Sequence, residues 1–327
     1  AMLCVEVSKM TEEFKFSPAS WLPSHDLETL RKVRNIRRED MEYTNENGFS
    51  VKVVIDPVMH LVLDCFHRIY LSDKNDTPLT MIFPNQWPGV YQAIANMVNK
   101  YNISCRNVHA FAMDEWADEH GNVAPLTFGA GLGYSFINHF YGNIREDLRP
   151  PIDHWHVFTN DNKADGVYSR MIEDCGQGGA DVVYSATGWP GHIAFIDPDV
   201  PEFHAESLDD FIKLKSRVTT QHYLTVCENA LFSPMGASGD VWVVPPKAVT
   251  IGPYDVVNAR ERFVIHSIVN PAGDTWQRMI SRIELYGPIS MKCPSSITRL
   301  GKGTCYVSEV IARPFSVWHE GIENQYL

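Results

Sequence analysis

The amino-acid sequence predicts an α/β fold with a doubly wound, mostly parallel sheet and helices on both of its faces. From Val51 onward, short apolar stretches rich in β-branched residues alternate with longer stretches that have one apolar face. Glycine, proline and aspartate separate these stretches, and such residues end strands and helices. Alternation of this kind is typical of a parallel sheet that is covered on both faces. The 327 residues are enough for one large domain.

Each predicted element follows from the length and apolar pattern of its stretch. The predicted strands are Val51–Ile55, Leu79–Phe83, Val108–Met113, His154–Phe158, Asp181–Ser185, Val241–Val244, Val249–Ile251 and Phe263–Ile268. The predicted helices are Val58–Leu71, Gly89–Lys100, Gly131–Tyr141, Ala164–Asp174 and Thr275–Tyr286. Because no repeat or flexible linker interrupts this order, we expect a single domain over residues 48–327. Residues 1–47 lack strand-like apolar runs and are expected to form an N-terminal extension, wrapped on the domain or on a partner subunit.

The composition argues against several classes of partner. A net charge of −12 disfavours binding to nucleic acid or to an anionic membrane surface. The seven cysteines include no Cys-x-x-Cys pair, which favours reduced thiols in a cytoplasmic protein. No apolar run reaches the roughly 18 residues of a membrane span, and the N-terminus does not have the shape of a signal peptide. We therefore expect a cytoplasmic protein.

No motif predicts a cofactor or a metal ion. The Gly-x-Gly-x-x-Gly fingerprint of dinucleotide sites does not occur in the chain. His154 and His156 have a spacing found in metal sites, but alternate residues of a strand ordinarily mark one of its faces. We therefore expect neither a cofactor nor a metal site.

The most informative stretch begins with Val182–Ser185, which has the apolar, β-branched character of a buried strand. The following turn, Gly188-Trp-Pro-Gly191, breaks regular structure and allows a ligand to approach the backbone closely. His192 comes next, and Asp197 lies shortly after it. An imidazole oriented by a carboxylate can move protons, although a histidine at this place is also compatible with a structural role.

Two adjacent carboxylates, Asp114 and Glu115, follow the predicted strand Val108–Met113. A carboxylate that is partly desolvated by Trp116 would have a raised pKa and would suit the removal of a proton from carbon. A helix N-cap or a solvated loop is the alternative position for either carboxylate.

These two stretches and a third, Pro84–Gly89, all lie next to the carboxyl ends of predicted strands. Because those ends share one edge of a parallel sheet, we expect the three stretches to meet in one crevice. Trp87 and Trp189 would offer flat apolar faces to a sugar ring or another planar ligand. The third stretch starts a helix, whose N–H groups suit an anion, but it carries one glycine and no basic residue.

These motifs resemble those of the glucosamine-6-phosphate deaminase/isomerase family. Phe111–Trp116 is similar to the family's Asn-Met-Asp-Glu-Tyr, and Gly188–Pro198 to its Gly-x-Asp-Gly-His-Ile-Ala-Phe-Asn-Glu-Pro. Val249–Gly252 is similar to the family's Leu-Thr-Val-Gly. The resemblance extends roughly from Val51 to Pro288. It implies a doubly wound α/β fold, a small-molecule sugar phosphate as the substrate, no redox cofactor, and a homo-oligomer.

The resemblance also implies a reaction and residue roles. The family converts glucosamine 6-phosphate into fructose 6-phosphate and ammonia. Asp114 would be the base that moves a proton between C2 and C1, while His192, with Asp197 behind it, would hand a proton to the ring oxygen. The substrate-binding residues would be Asn85, Gln86, Trp87, Glu115, Gly188, Trp189, Gly191 and Arg278.

Several positions depart from the family pattern. Pro190 stands where the family has an aspartate, and Asp197 where it has a glutamate. The family's Thr-Gly-Gly-Thr-Pro phosphate loop is replaced by Asn85–Pro88, and its phosphate-binding lysine falls near Gln277. Its phosphate-binding arginine falls near Leu214. Basic residues surround that last position: Lys213, Lys215 and Arg217. The differences predict either a displaced phosphate or a different substrate group.

Three functions stay open at this point. The first is a sugar-phosphate isomerase or deaminase that uses Asp114 and His192. The second is a lactone hydrolase of the related 6-phosphogluconolactonase type, in which His192 would activate water. Those hydrolases do not keep the full Met-Asp-Glu-aromatic motif, which favours the first function. The third is a non-catalytic sugar-phosphate-binding protein, a function that Pro190 and the altered phosphate loop favour.

Overall fold

The computed structural model describes residues 17–84, 87–233, 238–270 and 272–315. The strands are β1 (Tyr43–Thr44), β2 (Phe49–Val54), β3 (Leu79–Phe83), β4 (Val108–Ala112), β5 (Asp114–Ala117), β6 (Trp155–His156), β7 (Val182–Ser185), β8 (Arg217–Thr220), β9 (Lys247–Thr250), β10 (Glu261–His266) and β11 (Gly303–Ser308). The α-helices are α1 (Leu27–Arg34), α2 (Pro57–Asn75), α3 (Pro88–Tyr101), α4 (Leu132–Ser135), α5 (Val167–Cys175), α6 (Leu208–Phe211), α7 (Tyr223–Phe232), α8 (Pro253–Asn258), α9 (Gln277–Tyr286) and α10 (Glu309–Ala312). A π-helical turn, Phe136–Phe140, continues α4.

An eight-stranded sheet forms the centre of the fold, in the order β1-β2-β11-β10-β7-β3-β4-β6. Its neighbouring strands are parallel, except that β1 pairs antiparallel with β2 at one edge. From β3 the chain proceeds towards β4 and β6, whereas from β7 it proceeds towards β10 and β11. The strand order therefore reverses between β3 and β7. The predicted α/β fold with a mostly parallel sheet is confirmed.

Strand β3 illustrates why helices cover both faces. Successive side chains of a strand point to opposite faces of the sheet, and every residue of β3 is buried. Met81 and Phe83 belong to the apolar cluster formed with α2 and α3. Ile82 belongs to a second apolar cluster, formed with α5 and α8. A strand that is apolar along its whole length requires this cover on both sides.

A second, antiparallel sheet has the order β5-β9-β8. Strand β4 leads into β5 through Met113, which joins the two sheets. The Met113 N–H donates to the carbonyl of Phe83 at 3.0 Å, and the Met113 carbonyl accepts from the N–H of Ile251 at 2.9 Å. This joint lies at the carboxyl end of β3, so the first residue of β5, Asp114, begins at the same edge of the central sheet.

Part of the predicted N-terminal extension packs closely on the domain. In α1, Leu30 and Val33 are buried in a cluster with Ile280 and Ile283 of α9. Strand β1 adds an edge to the central sheet. The boundary expected at residue 47 falls between β1 and β2, and the division of the chain at that point stays a prediction.

Two local expectations are wrong. The strand predicted at Val241–Val244 is a 3-10 turn, Val241–Val243, capped by the Asp240 side chain, which accepts from the N–H of Trp242 at 3.2 Å. Pro245 and Pro246 follow this stretch, and a proline has no N–H to donate to a strand ladder. The stretch after Met113, for which the sequence predicts a loop, forms β5. The sequence pattern also missed α1, α6, α7, α8, α10, β1, β8 and β11.

No helix among the described ranges has both the length and the apolar character needed to cross a membrane. In the same ranges, six cysteines are free thiols.

We expect Phe83→Ala to destabilise the protein strongly. The Phe83 side chain is 1% exposed, and its ring packs against Tyr91, Phe140 and Tyr184. The substitution leaves a cavity among these rings and should lower the free energy of unfolding by about 3–5 kcal/mol. Urea denaturation measures the effect. Phe128→Ala is the control, because that ring is 38% exposed, and an equal loss in both variants would contradict the assignment of Phe83 to the core.

Candidate active site

A cavity of about 280 Å³ lies where β3, β4 and β7 end. This edge includes the point at which the strand order reverses, where open α/β sheets bind their ligands. The cavity is lined by Pro84, Trp87, Met113, Asp114, Leu132, Ala186, Thr187, Gly188, His192, Ala194, Phe195, Glu228, Asn229, Phe232, Ser233, Ile268 and Trp276. Among the predicted site residues, Trp87, Asp114, Gly188 and His192 line it. Its volume is close to the lower end of the range for ligand pockets, about 300–1,000 Å³.

A glycine turn after β7 carries His192. The Gly191 N–H donates to the carbonyl of Gly188 at 3.0 Å, and the Gly188 N–H donates to the carbonyl of His192 at 3.2 Å. Gly191 has φ of +93°, which residues with a side chain rarely adopt, and it lies against Cys293 rather than in the cavity. A Cβ at Gly188 would overlap the His192 ring. The turn therefore needs Gly191 for its positive φ and Gly188 to leave room for the His192 ring against the backbone of the turn.

A buried hydrogen-bond network orients His192. Its Nδ1 lies 2.7 Å from Asp197 Oδ1 and 3.0 Å from the Thr225 hydroxyl oxygen. Asp197 is 1% exposed, and it also accepts from the Thr225 hydroxyl and from the N–H of His222, both at 2.7 Å. A buried carboxylate requires partners of this kind. The turn after β7 and the start of α7 are thereby linked through Asp197.

The carboxylates around His192 favour its protonated form at neutral pH. Burial alone would lower the pKa of His192, but the negative charges of Asp197 and Glu228 outweigh burial and raise the pKa to about 9. Because Nδ1 donates to Asp197, the second N–H of the imidazolium is on Nε2, which lies 3.8 Å from Glu228 Oε2. An imidazolium held in this way can donate a proton to a bound molecule.

Glu228 was not among the predicted site residues. It projects from α7 into the cavity, and its Oε2 accepts from the N–H of Trp189 at 2.7 Å. Burial raises the pKa of Glu228, and the nearby charge of His192 opposes that shift. A signal was present in the sequence, because Glu228 is the one charged residue between positions 223 and 239. With Thr225, Asn229 and Phe232 it has the spacing of a single helix face.

Asp114 lines the same cavity and is 6% exposed. The pairing of β5 with β9, in which Asp114 lies opposite Thr250, fixes its backbone. The negative charge of Asp114 contributes to the raised pKa of His192 and, after burial, to that of Tyr91. A carboxylate and a protonated imidazole thus face one small cavity.

Glu115 caps a helix and does not line the cavity. Its carboxylate accepts from the N–H groups of Trp116, Leu132 and Gly133 at 2.6–2.9 Å. Burial raises the pKa of Glu115, and these three hydrogen bonds oppose the shift. The N–H groups at the start of α4 therefore hold the Glu115 carboxylate in place, directly after Asp114 in the chain.

Aromatic side chains form much of the cavity wall. They are Trp87, Phe195, Phe232 and Trp276. Trp189 lies in an adjoining groove, where its ring stacks on Trp276 with 5.7 Å between centroids and 12° between planes. Asn85 and Gln86, two of the predicted substrate-binding residues, lie outside the described residues.

The resemblance implies a phosphate anchor near positions 277 and 278, but the side chains at these two positions bond to backbone groups. Arg278 donates to the carbonyl of Val310 at 3.2 Å. Gln277 is fully buried; it donates to the carbonyl of Thr187 at 2.9 Å and accepts from the N–H of Ile268 at 2.8 Å. These bonds tie α9 to the segments that follow β7 and β10.

The basic residues around Leu214 are also engaged outside the cavity. Lys213 forms an ion pair with Asp210 at 3.1 Å, and Lys215 with Glu173 at 2.9 Å. Arg217 donates to two backbone carbonyl oxygens. None of the three lines the cavity.

A group of potential metal ligands lies away from the cavity, between β4, β6 and the end of α5: His109, His156 and Cys175. His109 Nδ1 is 3.2 Å from His156 Nε2. Burial and the neighbouring histidines lower the pKa of His156 to about 4, so one neutral imidazole donates to the other. This hydrogen bond accounts for the arrangement, and the expected absence of a metal site stays a prediction.

Comparison with known proteins identifies relatives by sequence. A glucosamine-6-phosphate deaminase of Caenorhabditis elegans is 27% identical over 181 residues, which cover 54% of this chain and 58% of the relative. The chain therefore spans little more than half the length of that protein. A Bacillus velezensis protein of the same name is 26% identical over 228 residues, covering 67% of this chain and 82% of the relative. No family model matches the chain.

Solved structures with the same fold include two kinds of enzyme. A monomeric glucosamine-6-phosphate deaminase superposes with a TM-score of 0.62 and 17% identity, over 80% of this chain and 98% of the other. The 6-phosphogluconolactonase of Trypanosoma brucei superposes with a TM-score of 0.54 and 15% identity, over 80% of this chain and 97% of the other. At these identities the likeness establishes the fold.

We expect Asp197→Asn to lower the pKa of His192 well below 9, because the substitution removes the charge that raises it most. NMR titration of the His192 ring protons measures this, with Asp199→Asn as the control. A raised pKa in the folded state adds stability below the unfolded value of about 6.5, and this stability is lost as the pH rises through 9. The free energy of unfolding should therefore fall less over that range in Asp197→Asn than in the wild type. An unchanged pKa of His192 in Asp197→Asn would contradict the account.

Proposed function

We propose that this chain, a divergent relative of the glucosamine-6-phosphate deaminase family, is a deaminating isomerase of amino sugars. The observation that carries the proposal is that Asp114 and His192 line one cavity, with His192 oriented and charged by Asp197. Aldose–ketose isomerisation of an amino sugar needs one ionised group to take a proton from carbon and one protonated group to release an oxygen.

His192 acts first in the proposed mechanism. In the cyclic sugar, its Nε2–H gives a proton to the ring oxygen as the bond from C1 to the ring oxygen breaks. The C1 hydroxyl gives its proton to water, which leaves the open-chain aldehyde. The pKa of about 9 means that the imidazolium is the main form at pH 7. Asp197 and Thr225 hold Nδ1 and thus direct Nε2 to the cavity.

Asp114 acts second. Its carboxylate removes the proton from C2 of the open-chain amino sugar, and the electron pair forms a C1=C2 double bond as the C1 oxygen takes up a proton from water. The protonated Asp114 then gives its proton to C1, and the enolamine becomes the C2 iminium ion. Water adds to the imine carbon and ammonia leaves, which gives the 2-ketose. These steps need no oxidant or reductant.

Glu228 supplies a second carboxylate on the open side of His192 in this proposal. The resemblance places an aspartate two residues before this histidine, but Pro190 occupies that position here. The Glu228 carboxylate reaches the imidazole from α7 instead, with its Oε2 3.8 Å from Nε2. It would stabilise the imidazolium before proton transfer and accept a hydrogen bond from a sugar hydroxyl.

The lactone hydrolase is the second candidate, because proteins with that activity share the fold. Lactone opening by His192 and water gives no role to Asp114, which lies in the cavity as a second carboxylate. The presence of a base suited to C–H removal favours the isomerase. A cytoplasmic location and a homo-oligomer stay predictions.

We expect Asp114→Asn to lower the rate of ammonia release from an amino sugar by about 10²–10⁴-fold, the range for a general base. The substitution removes the base and keeps the shape, so the affinity for the sugar should change little. Coupled detection of ammonia, with glucosamine and glucosamine 6-phosphate as substrates, measures the rate. Asp209→Asn, on an exposed position of α6, is the control. Activity within a few-fold of the wild type in Asp114→Asn would exclude the proposed base.

Glu228→Gln should move the alkaline limb of the pH profile of kcat/KM to lower pH. The charge of Glu228 helps to raise the pKa of His192, and the proposed mechanism requires protonated His192. At pH 9 the variant should lose activity by about tenfold, with a smaller loss at pH 6. Glu206→Gln, an exposed residue, is the control. An alkaline limb that stays in place would remove Glu228 from the mechanism.

A further inference from the structure

The charged groups that line the cavity are two carboxylates, Asp114 and Glu228, and the imidazole of His192. No lysine or arginine is among the described residues of its wall. The short stretches left out next to these residues, 85–86, 234–237 and 271, also contain no lysine or arginine by sequence. Two carboxylic side chains and one imidazole are therefore the ionisable groups of the described wall.

The basic residues at and around the positions where the resemblance implies a phosphate anchor have other partners. Lys213 and Lys215 are in ion pairs, Arg217 and Arg278 donate to backbone carbonyl oxygens, and the position of the family lysine is the buried Gln277. The start of α3 could favour an anion through its free N–H groups. However, Pro88 removes one of these groups, and a helix dipole supplies only about half a charge.

A phosphate ester would therefore enter this cavity as a dianion beside two carboxylates. Moving an ion out of water is unfavourable unless an opposite charge compensates it. Among the described residues of the wall, the cationic group is His192, which is already paired with Asp197. The ammonium of an amino sugar, in contrast, meets two carboxylic side chains here. The faces of Trp87 and Trp276 can pack on the apolar side of a sugar ring.

We propose that the substrate is a cationic amino sugar without a phosphate group, recognised through the carboxylates that face the cavity and through the tryptophan walls. This inference rests on the proposed function, since it names the substrate class of the same site. Glu228 is the residue best placed for recognition, because Asp114 serves as the base. Its Oε2 is already held by the N–H of Trp189, so its carboxylate is oriented before the sugar arrives.

A binding measurement separates this inference from the proposed function. 2-Amino-2-deoxyglucitol and its 6-phosphate have no carbonyl group and cannot be isomerised. Titration calorimetry with the wild-type chain at pH 7 compares their affinities directly. We expect the unphosphorylated amine to bind at least about tenfold more tightly. Tighter binding of the phosphate ester would overturn the inference, whether the cation came from Lys9 or Lys15, which lie outside the described residues, or from a second copy of the chain.

Turnover gives the second readout. If the inference holds, kcat/KM for glucosamine exceeds that for glucosamine 6-phosphate by a similar factor. Preferred binding of the unphosphorylated amine without release of ammonia from either sugar would overturn the proposed function and leave the inferred class of ligand intact. Release of ammonia with a preference for the 6-phosphate would support the proposed function and overturn the inference of an unphosphorylated substrate.

A substitution tests the electrostatic reason for this selectivity. Phe232→Lys adds a cation to the cavity wall, at a side chain that is 39% exposed. We expect the affinity for the 6-phosphate, relative to the unphosphorylated amine, to rise by about tenfold. Leu231→Lys is the matched control, because its side chain is 43% exposed and does not line the cavity. Equal responses of the two variants would show that a missing cation is not what excludes phosphate.

Discussion

The ion pair between His192 and Asp197 is the interaction on which the rest of the site depends. Both groups are buried, and a buried charge is tolerated only with its partner in place. The pair links the glycine turn after β7 to the start of α7 through Thr225 and His222. Without it, the pKa of His192 would fall and Nδ1 would lose the carboxylate that orients the ring. The bond from the N–H of Trp189 to Glu228 would then remain as a link between the turn and α7.

The joint between the two sheets supplies the other half of the site. Met113 forms a backbone hydrogen bond to β3 of the central sheet and another to Ile251, which follows β9. The chain therefore passes from one sheet to the other within a single residue. Asp114 follows at once. The proposed base therefore lies on a strand that is held by its neighbours, at the edge where β3 and β7 also end. A rigid backbone of this kind keeps a carboxylate in place for removal of a proton from carbon.

Much of this arrangement could be predicted from local sequence. Strand β3 has the predicted bounds, because an apolar, β-branched run bounded by loop residues has few alternatives. The motifs around Asp114 and His192 placed both residues at strand ends. Local sequence marks Glu228 as the one charged residue of its stretch, but it does not place Glu228 at the site. Its hydrogen-bond partner Trp189 lies 39 residues earlier in the chain, and tertiary packing of α7 brings the two together. Likewise, Glu115 looked like a site residue because its use as a helix cap depends on a segment that is distant in sequence.

The most direct test of the central claim follows the proton at C2. Glucosamine and, separately, glucosamine 6-phosphate are incubated with the wild-type chain in D₂O and observed by proton NMR. If Asp114 and His192 catalyse a deaminating isomerisation, the C2 proton signal of a turned-over sugar disappears as the ketose forms. C1 of the ketose then carries the proton that Asp114 transferred, or deuterium where Asp114 exchanges with the solvent before the transfer. If neither sugar loses its C2 proton while both still bind, the cavity is a binding site and the proposed chemistry is wrong.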